Sequence, residues 1–100
     1  MRRKARVDEN QLVIVARLRR HGATVVPLHT VGEGVPDLLV GFRHRTFLVE
    51  VKTPAGRLTD RQKEWHESWN GDPVCIIRTV DQVDSMMEGL GAELNEGTNV

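Results

Sequence analysis

The feature that most constrains this chain is a pair of carboxylates and one amine set in two short apolar segments. Pro36-Asp37 opens the segment Asp-Leu-Leu-Val-Gly-Phe, and Glu50 and Lys52 lie thirteen and fifteen residues after Asp37 in Thr-Phe-Leu-Val-Glu-Val-Lys-Thr. Both segments are rich in branched and aromatic residues and are bounded by turn formers, which predicts two strands. Charges in such segments are costly to bury unless they are paired or serve a function, so these three side chains are candidate functional residues.

The polar residues 43–46 lie between the two segments and are few enough for a hairpin. A register that pairs Phe42 with Phe47 makes one face wholly apolar and sets Asp37 opposite Lys52, with Glu50 one diagonal step away. A slip of one residue would put Asp37 and Glu50 on opposite faces. We therefore expect both carboxylates on one face, within reach of one cation.

The sequence as a whole is that of one small domain. It has 100 residues and one cysteine, Cys75, in an apolar run, so no internal disulfide can form and a reducing, cytoplasmic setting is expected. No apolar run is long enough to span a bilayer, and no secretory signal follows the basic N-terminus. We expect a single domain over residues 1–100, with a core at about 8–90 and a flexible basic arm (1–7) and tail (91–100).

Net charge is zero but unevenly distributed. Residues 1–63 contain thirteen Lys/Arg and six Asp/Glu, whereas residues 64–100 contain one and eight. Such a distribution can attract a polyanion, although a solvated surface is the simpler interpretation of any single arginine. The residues that we expect to contact the phosphates of a nucleic acid are Arg3, Lys4, Arg6, Arg17, Arg20, Arg57, Arg61 and Lys63.

Capping and stop signals predict the order helix, three strands, helix, strand, short helix. The predicted elements are a helix capped by Asp8 that runs to Arg20, a strand over 24–29, the two hairpin strands, a helix capped by Thr59 that runs to Gly71, a buried strand over 74–78, and a last helix opening at Asp81.

The first helix has one alternative, because residues 13–15 alone would also suit a strand. As a helix, it should turn Leu12, Val15 and Ala16 toward the core, with Val13 as a further candidate.

Two carboxylates on adjacent strands make an open site of the kind that Mg²⁺ uses, because this ion takes a few carboxylate oxygens and keeps several waters. Lys52 would point at the same place, where its ammonium can position the attacking water or stabilise negative charge. The pattern therefore favours metal-assisted phosphodiester chemistry.

These residues resemble the PD-(D/E)xK nuclease superfamily and, within it, the VRR-NUC family of virus-type replication–repair nucleases. The resemblance is carried by residues 34–38 (Gly-Val-Pro-Asp-Leu), 50–52 (Glu-Val-Lys), 58–63 (Leu-Thr-Asp-Arg-Gln-Lys) and 77–81 (Ile-Arg-Thr-Val-Asp). It implies an α/β, restriction-endonuclease-like core and Mg²⁺- or Mn²⁺-dependent hydrolysis of DNA. It further implies a homodimer that cuts branched DNA such as Holliday junctions. A junction with two-fold symmetry is cut by two catalytic sites, and one chain offers only one such site.

The resemblance also implies roles for individual residues. Asp37, Glu50 and Glu9 would be metal ligands together with the Val51 carbonyl. Lys52 would orient or activate the water, and Gln62 would steady the site near Lys52.

Simpler interpretations remain open beside these. Glu50 and Lys52 could form a surface ion pair, Gln62 could only cap Thr59, and Glu9 could only complement the positive start of its helix. The four histidines lack zinc-like spacing, and Trp65 and Trp69, four residues apart, suit a core or a dimer interface better than base stacking. The alternatives to an endonuclease for branched DNA are a nickase or flap-type nuclease and a non-catalytic DNA-binding or assembly module.

Overall fold

The computed structural model describes residues 8–98, so that Arg3, Lys4 and Arg6 lie outside the described residues. Its elements follow the predicted order: α1 (Glu9–Arg20), β1 (Thr24–Pro27), β2 (Leu38–Phe42), β3 (Arg45–Val51), α2 (Asp60–Ser68), β4 (Cys75–Ile77) and α3 (Val80–Thr98). The strands form one mixed sheet in the order β1-β2-β3-β4, in which only β3 and β4 are parallel. No helix within residues 8–98 is long and apolar enough to cross a membrane.

One face of the sheet carries the hydrophobic core. Its fully buried residues come from β2, β3, α1 and α3: Ile14, Leu18, Leu38, Val40, Val49 and Val83. Because side chains alternate along a strand, Glu50 points to the other face, where it meets α2. The sheet therefore lies between α1 and α3 on the apolar face and α2 on the face that carries the carboxylates.

The inward face of α1 differs from the prediction. The helix and its Asp8 cap are confirmed, but the buried residues are Gln11, Ile14, Val15 and Leu18. Leu12 and Val13 are 60% and 51% exposed, and Ala16 is also exposed. The apolar residues of this helix extend over more than one face, so their pattern did not indicate which stripe packs against the sheet.

The predicted hairpin register is wrong by two residues. Val40 pairs with Phe47, and Phe42 pairs with Arg45, which leaves a two-residue turn instead of a four-residue loop. The turn residues Arg43 and His44 have φ values of 52° and 68°, as expected for a turn whose twist matches the strands. Since side chains alternate with a period of two, this slip keeps every side chain on its predicted face, and both carboxylates remain together.

Several element ends also differ from the predictions. β1 stops at Pro27, before the turn that begins at Leu28, and α2 stops at Ser68, with Trp69 as an extended C-cap. β4 spans only three residues and lies at the edge of the sheet. Ile76 is 38% exposed, whereas a buried strand was predicted. α3 begins at Val80 and continues to Thr98, so most of the expected tail is helical.

Candidate functional site

Asp37 lies immediately before β2 and is held from both sides. Its Oδ2 accepts the Val51 N–H at 2.8 Å, and its backbone carbonyl accepts the Leu28 N–H at 2.7 Å. Pro36, which precedes it, is fully buried and fixes the approach of the chain. The carboxylate is therefore fixed at the end of the sheet where β3 also ends.

Glu50 is a buried carboxyl group, with a side chain that is 1% exposed. The observed register, extended by one residue beyond β2, sets it directly opposite Asp37. Burial, followed by the charge and hydrogen bond of Asp37, raises the pKa of Glu50 to about 8, and the charge of Lys52 partly opposes this rise. Asp37 thus faces Glu50, and not Lys52 as the sequence predicted.

Gln62, on the first turn of α2, has two roles at once. Its Oε1 accepts the Thr59 N–H at 2.9 Å while its own backbone N–H donates to the Thr59 hydroxyl, which is a complete capping box. Its Nε2 donates to Glu50 Oε2 at 3.2 Å. The cap and the site contact, which were alternatives in the sequence, are both present.

His66 lies one turn further along α2 and also meets Glu50. Its Nε2 is 3.4 Å from Glu50 Oε1, and its side chain is 14% exposed. Burial lowers the pKa of His66, and the positive charge of Lys52 lowers it further, which favours the neutral imidazole. His66 was not predicted to be a site residue, although it lies four residues after Gln62 and so shares a helix face with it.

Lys52 directly follows β3, and its backbone is fixed by neighbouring elements. Its N–H donates to the Ile77 carbonyl at 3.1 Å, and its carbonyl accepts from Asn10 Nδ2 at 2.8 Å. The Asn10 amide also donates to the Arg78 carbonyl at 3.3 Å. Asn10 therefore ties α1 to the ends of β3 and β4 beside the site.

These groups surround one open cavity of about 330 Å³. It brings together five of the six predicted catalytic and metal-binding residues, namely Asp37, Glu50, Val51, Lys52 and Gln62. Asp8, the N-cap of α1, and Gln11, a buried polar residue of α1, also line the cavity. Glu9 is exposed on the first turn of α1 and is not among the lining residues.

The loop over 32–34 closes one side of the cavity against α2. Three successive residues there have positive φ, namely Gly32, Glu33 and Gly34 at 75°, 59° and 83°. Glu33 Oε1 accepts from Arg61 Nη1 at 3.2 Å, and a Cβ on Gly34 would lie 2.6 Å from the Arg61 carbonyl oxygen. The loop thus approaches α2 more closely than any residue with a side chain would allow.

The basic residues expected to contact DNA are divided between the site and other surfaces. Arg61 lines the cavity and pairs with Glu33, and Arg57 and Lys63 are exposed on the segment that leads into α2 and on α2 itself. Arg17 lies 3.3 Å from Asp84 between α1 and α3, away from the carboxylates. Arg20 is exposed in the last turn of α1.

The oxygen atoms of the site suit a hard divalent cation. Within residues 8–98, no group of three or more His, Cys, Asp or Glu side chains is placed to hold a metal. A cation between Asp37 and Glu50 would therefore take these two carboxylates and a backbone oxygen as its protein donors. In an antiparallel ladder the N–H and C=O of one residue face the same neighbour, so the Val51 carbonyl faces the same side as the N–H that meets Asp37. Mg²⁺ takes one or two carboxylates and keeps several waters, which fits this set.

Comparison with known proteins supports the resemblance seen in the motifs. A family model described as the VRR-NUC domain matches residues 4–74, which is more than two thirds of the chain and includes Asp37, Glu50, Lys52 and Gln62. No curated protein and no solved structure gives a significant match. VRR-NUC domains are in general nuclease domains. On this match, the chain belongs to the VRR-NUC family.

Proposed function

We propose that this protein is a Mg²⁺- or Mn²⁺-dependent DNA endonuclease that hydrolyses phosphodiester bonds in branched DNA as a homodimer. The family gives a nuclease-type function in general. The metal dependence, the substrate structure and the oligomeric state are our proposals, made from the site and from symmetry.

The observation that carries the proposal is the pairing of Asp37 and Glu50 in one open cavity. The observed register, extended by one residue beyond β2, sets their side chains opposite each other, and two like charges this close oppose each other's ionisation unless a cation lies between them. A surface ion pair of Glu50 with Lys52 does not describe this arrangement, because Glu50 is buried and faces Asp37.

Asp37, Glu50 and the Val51 carbonyl would hold the cation, and Glu9 could reach it only through water or a movement of its side chain. Such an ion supplies an acidified water and stabilises charge on the phosphate. Lys52, which lines the same cavity, would position that water or stabilise developing negative charge. Gln62 orients Glu50 through its amide.

The branched substrate and the homodimer are proposed together. A four-way junction has two-fold symmetry and is resolved by two cuts, whereas each chain offers one pair of carboxylates within its described residues. Arg57 and Lys63, exposed near the cavity on α2 and the segment before it, would contact phosphates without reading bases.

Lys52→Ala tests the mechanism. We expect it to lower Mg²⁺-dependent cleavage by at least about 100-fold, because it removes the only ammonium group that lines the described cavity. DNA affinity should stay within a few-fold, since one cation among several is removed. The measurement is single-turnover cleavage of four-way junction, flap, nicked and linear duplex substrates, with binding measured in parallel without Mg²⁺.

Glu67→Gln, an exposed change on α2, is the control and should cleave like the unmodified protein. Full activity in Lys52→Ala would refute the proposed role of Lys52. Salt-sensitive junction binding with no Mg²⁺-stimulated product from any substrate would instead favour the non-catalytic module.

A further inference from the structure

Both carboxylate oxygens of Glu50 are engaged by the same helix. Gln62 Nε2 lies 3.2 Å from Oε2, and His66 Nε2 lies 3.4 Å from Oε1. α2 has no fully buried residue, so its position over the sheet does not come from a hydrophobic face like those of α1 and α3. Its best-defined contacts with the sheet are these two polar ones.

His66 is held in place by its surroundings. Its ring meets the indole of Trp65 edge-on, with centroids 6.5 Å apart and planes at 81°. Trp65 in turn stacks on Trp69, with centroids 5.0 Å apart. Gly71 lies under Trp69, since a Cβ there would be 2.8 Å from the indole nitrogen. The imidazole is therefore supported by a packed aromatic pair at its own end of the helix.

We propose that His66 is a positioning residue of the nuclease site, whose Nε2–H donates to Glu50 Oε1 and, with Gln62, fixes the carboxylate in the orientation that lets it share a cation with Asp37. This inference rests on the function proposed above and extends it to a residue outside the motifs. His66 is not assigned as a ligand, because no group of three ligating side chains occurs in the described part of the chain.

The physical basis is the freedom of a carboxylate about its last torsion. That torsion is broad and roughly two-fold, so one donor leaves the second oxygen free to move. A second donor on the other oxygen fixes the plane of the group. Hydrogen bonds of this kind behind a metal ligand typically change cation affinity by about 10- to 100-fold.

Two substitutions separate the hydrogen bond from the volume of the ring. His66→Phe keeps an aromatic ring beside Trp65 but removes the donor, and His66→Gln supplies an amide N–H at a similar reach. We expect His66→Phe to weaken Mn²⁺ binding by about 10-fold or more, and His66→Gln to stay within about three-fold of the unmodified protein. The measurement is calorimetric titration with Mn²⁺, with thermal unfolding recorded for each variant.

Glu67→Gln again serves as the control, because it alters the adjacent exposed residue and leaves Glu50 untouched. A His66→Phe protein that folds and binds Mn²⁺ as the unmodified protein does would overturn the inference. Failure of His66→Gln to recover affinity would also overturn it, since the role would then not be that of a donor.

Nitrogen NMR of the imidazole, recorded above about pH 8 so that Glu50 is ionised and can only accept, tests the contact without any metal. We expect the Nε2–H tautomer for His66, with a hydrogen-bonded N–H signal that is lost in Glu50→Ala. If the unmodified protein neither bound Mn²⁺ nor cleaved DNA, the proposed function would be refuted. This spectrum would still test the hydrogen bond between His66 and Glu50. An Nδ1–H tautomer would overturn the positioning role by itself.

Discussion

Glu50 combines two features that oppose its ionisation. Its side chain is 1% exposed, and Asp37 lies beside it. These two causes raise its pKa to about 8 from an ordinary value of 4.5. In the metal-free protein this carboxyl group is therefore costly to ionise, and a bound cation would remove much of that cost.

This shift predicts a pH dependence of stability. Between about pH 4.5 and 8 the folded chain holds a proton on Glu50 that the unfolded chain has lost, so the free energy of unfolding should fall as pH rises through that window. The slope is at most about 1.4 kcal/mol per pH unit for one group. Glu50→Gln cannot ionise and should lose this slope, so that it gains stability relative to the unmodified protein toward pH 8.

Urea denaturation in EDTA, at intervals from pH 5 to 8.5, measures the effect. Glu67→Gln removes an exposed carboxylate from the neighbouring helix and should follow the unmodified protein. Parallel curves for Glu50→Gln and the unmodified protein would show that Glu50 ionises normally in the fold.

The identities of the central residues were predictable from sequence, but their partners were not. Asp37, Glu50, Lys52 and Gln62 stand in recognisable motifs, and the structure brings all four to one cavity. His66 contributes through a contact with Glu50 that depends on how α2 lies over the sheet. The four-residue spacing between Gln62 and His66 was the signal in the sequence, because residues four apart share a helix face. The spacing among the four histidines, by contrast, indicates only whether they could bind zinc.

At the scale of elements, the loop over 32–34 and α2 form one wall of the cavity. Gly34 has φ of 83° and lies against the Arg61 backbone, whereas Gly32 has φ of 75° and a Cβ added there would meet nothing within 4 Å. The two glycines share a backbone conformation and differ in their surroundings. They therefore allow the cost of the conformation to be separated from the cost of the contact.

We expect Gly32→Ala to cost about 1–2 kcal/mol, which is the penalty for a left-handed alanine. Gly34→Ala should lower the melting temperature at least about twice as much, because its Cβ would also lie 2.6 Å from the Arg61 carbonyl oxygen. Thermal unfolding of the two variants side by side is the measurement. Equal decreases in melting temperature would mean that residue 34 does not pack against the Arg61 backbone as described.

The hairpin shows how far the sequence pattern determines an element. Alternation of apolar and polar residues determines the faces of β2 and β3, and these were predicted correctly. A two-residue slip preserves that alternation, so the pattern could not choose the register. The register depends on the turn at Arg43 and His44, which has none of the Asn-Gly or Asp-Gly signals typical of such turns.

Over the whole molecule, some basic residues are already paired within the fold. Asp84 on α3 lies 2.8 Å from His21 and 3.3 Å from Arg17, which links α1 to α3. The hydrogen bond from His21 lowers the pKa of Asp84, and the nearby arginines lower it further. Arg17 was predicted to contact DNA because the distribution of charge along the sequence does not show which cations have partners within the fold.

Arg57 and Lys63 remain the better candidates for phosphate contacts, since both are exposed near the cavity. The double substitution Arg57→Ala/Lys63→Ala should weaken DNA binding and flatten the plot of log affinity against log salt by about two, because each phosphate contact contributes about 0.9. Fluorescence anisotropy at about 50–200 mM salt measures both quantities.

Arg43→Gly is the matched control, because it removes one positive charge at the opposite end of β3 and a glycine suits the positive φ of 52° there. It should leave the salt slope nearly unchanged. A slope that Arg43→Gly flattens by about 0.9, half the effect of removing two charges, would indicate that net charge, and not the position of the cations, governs binding.

The double role of Gln62 would have a consequence for any relative that had lost the nuclease activity proposed here. A glutamine that caps its own helix would be retained for stability after the nuclease activity had disappeared. Glu50 would not, because an acid enclosed beside Asp37 weakens the fold unless a cation neutralises it. The acid, and not the amide, is therefore the residue whose survival distinguishes a working enzyme from an inactive descendant.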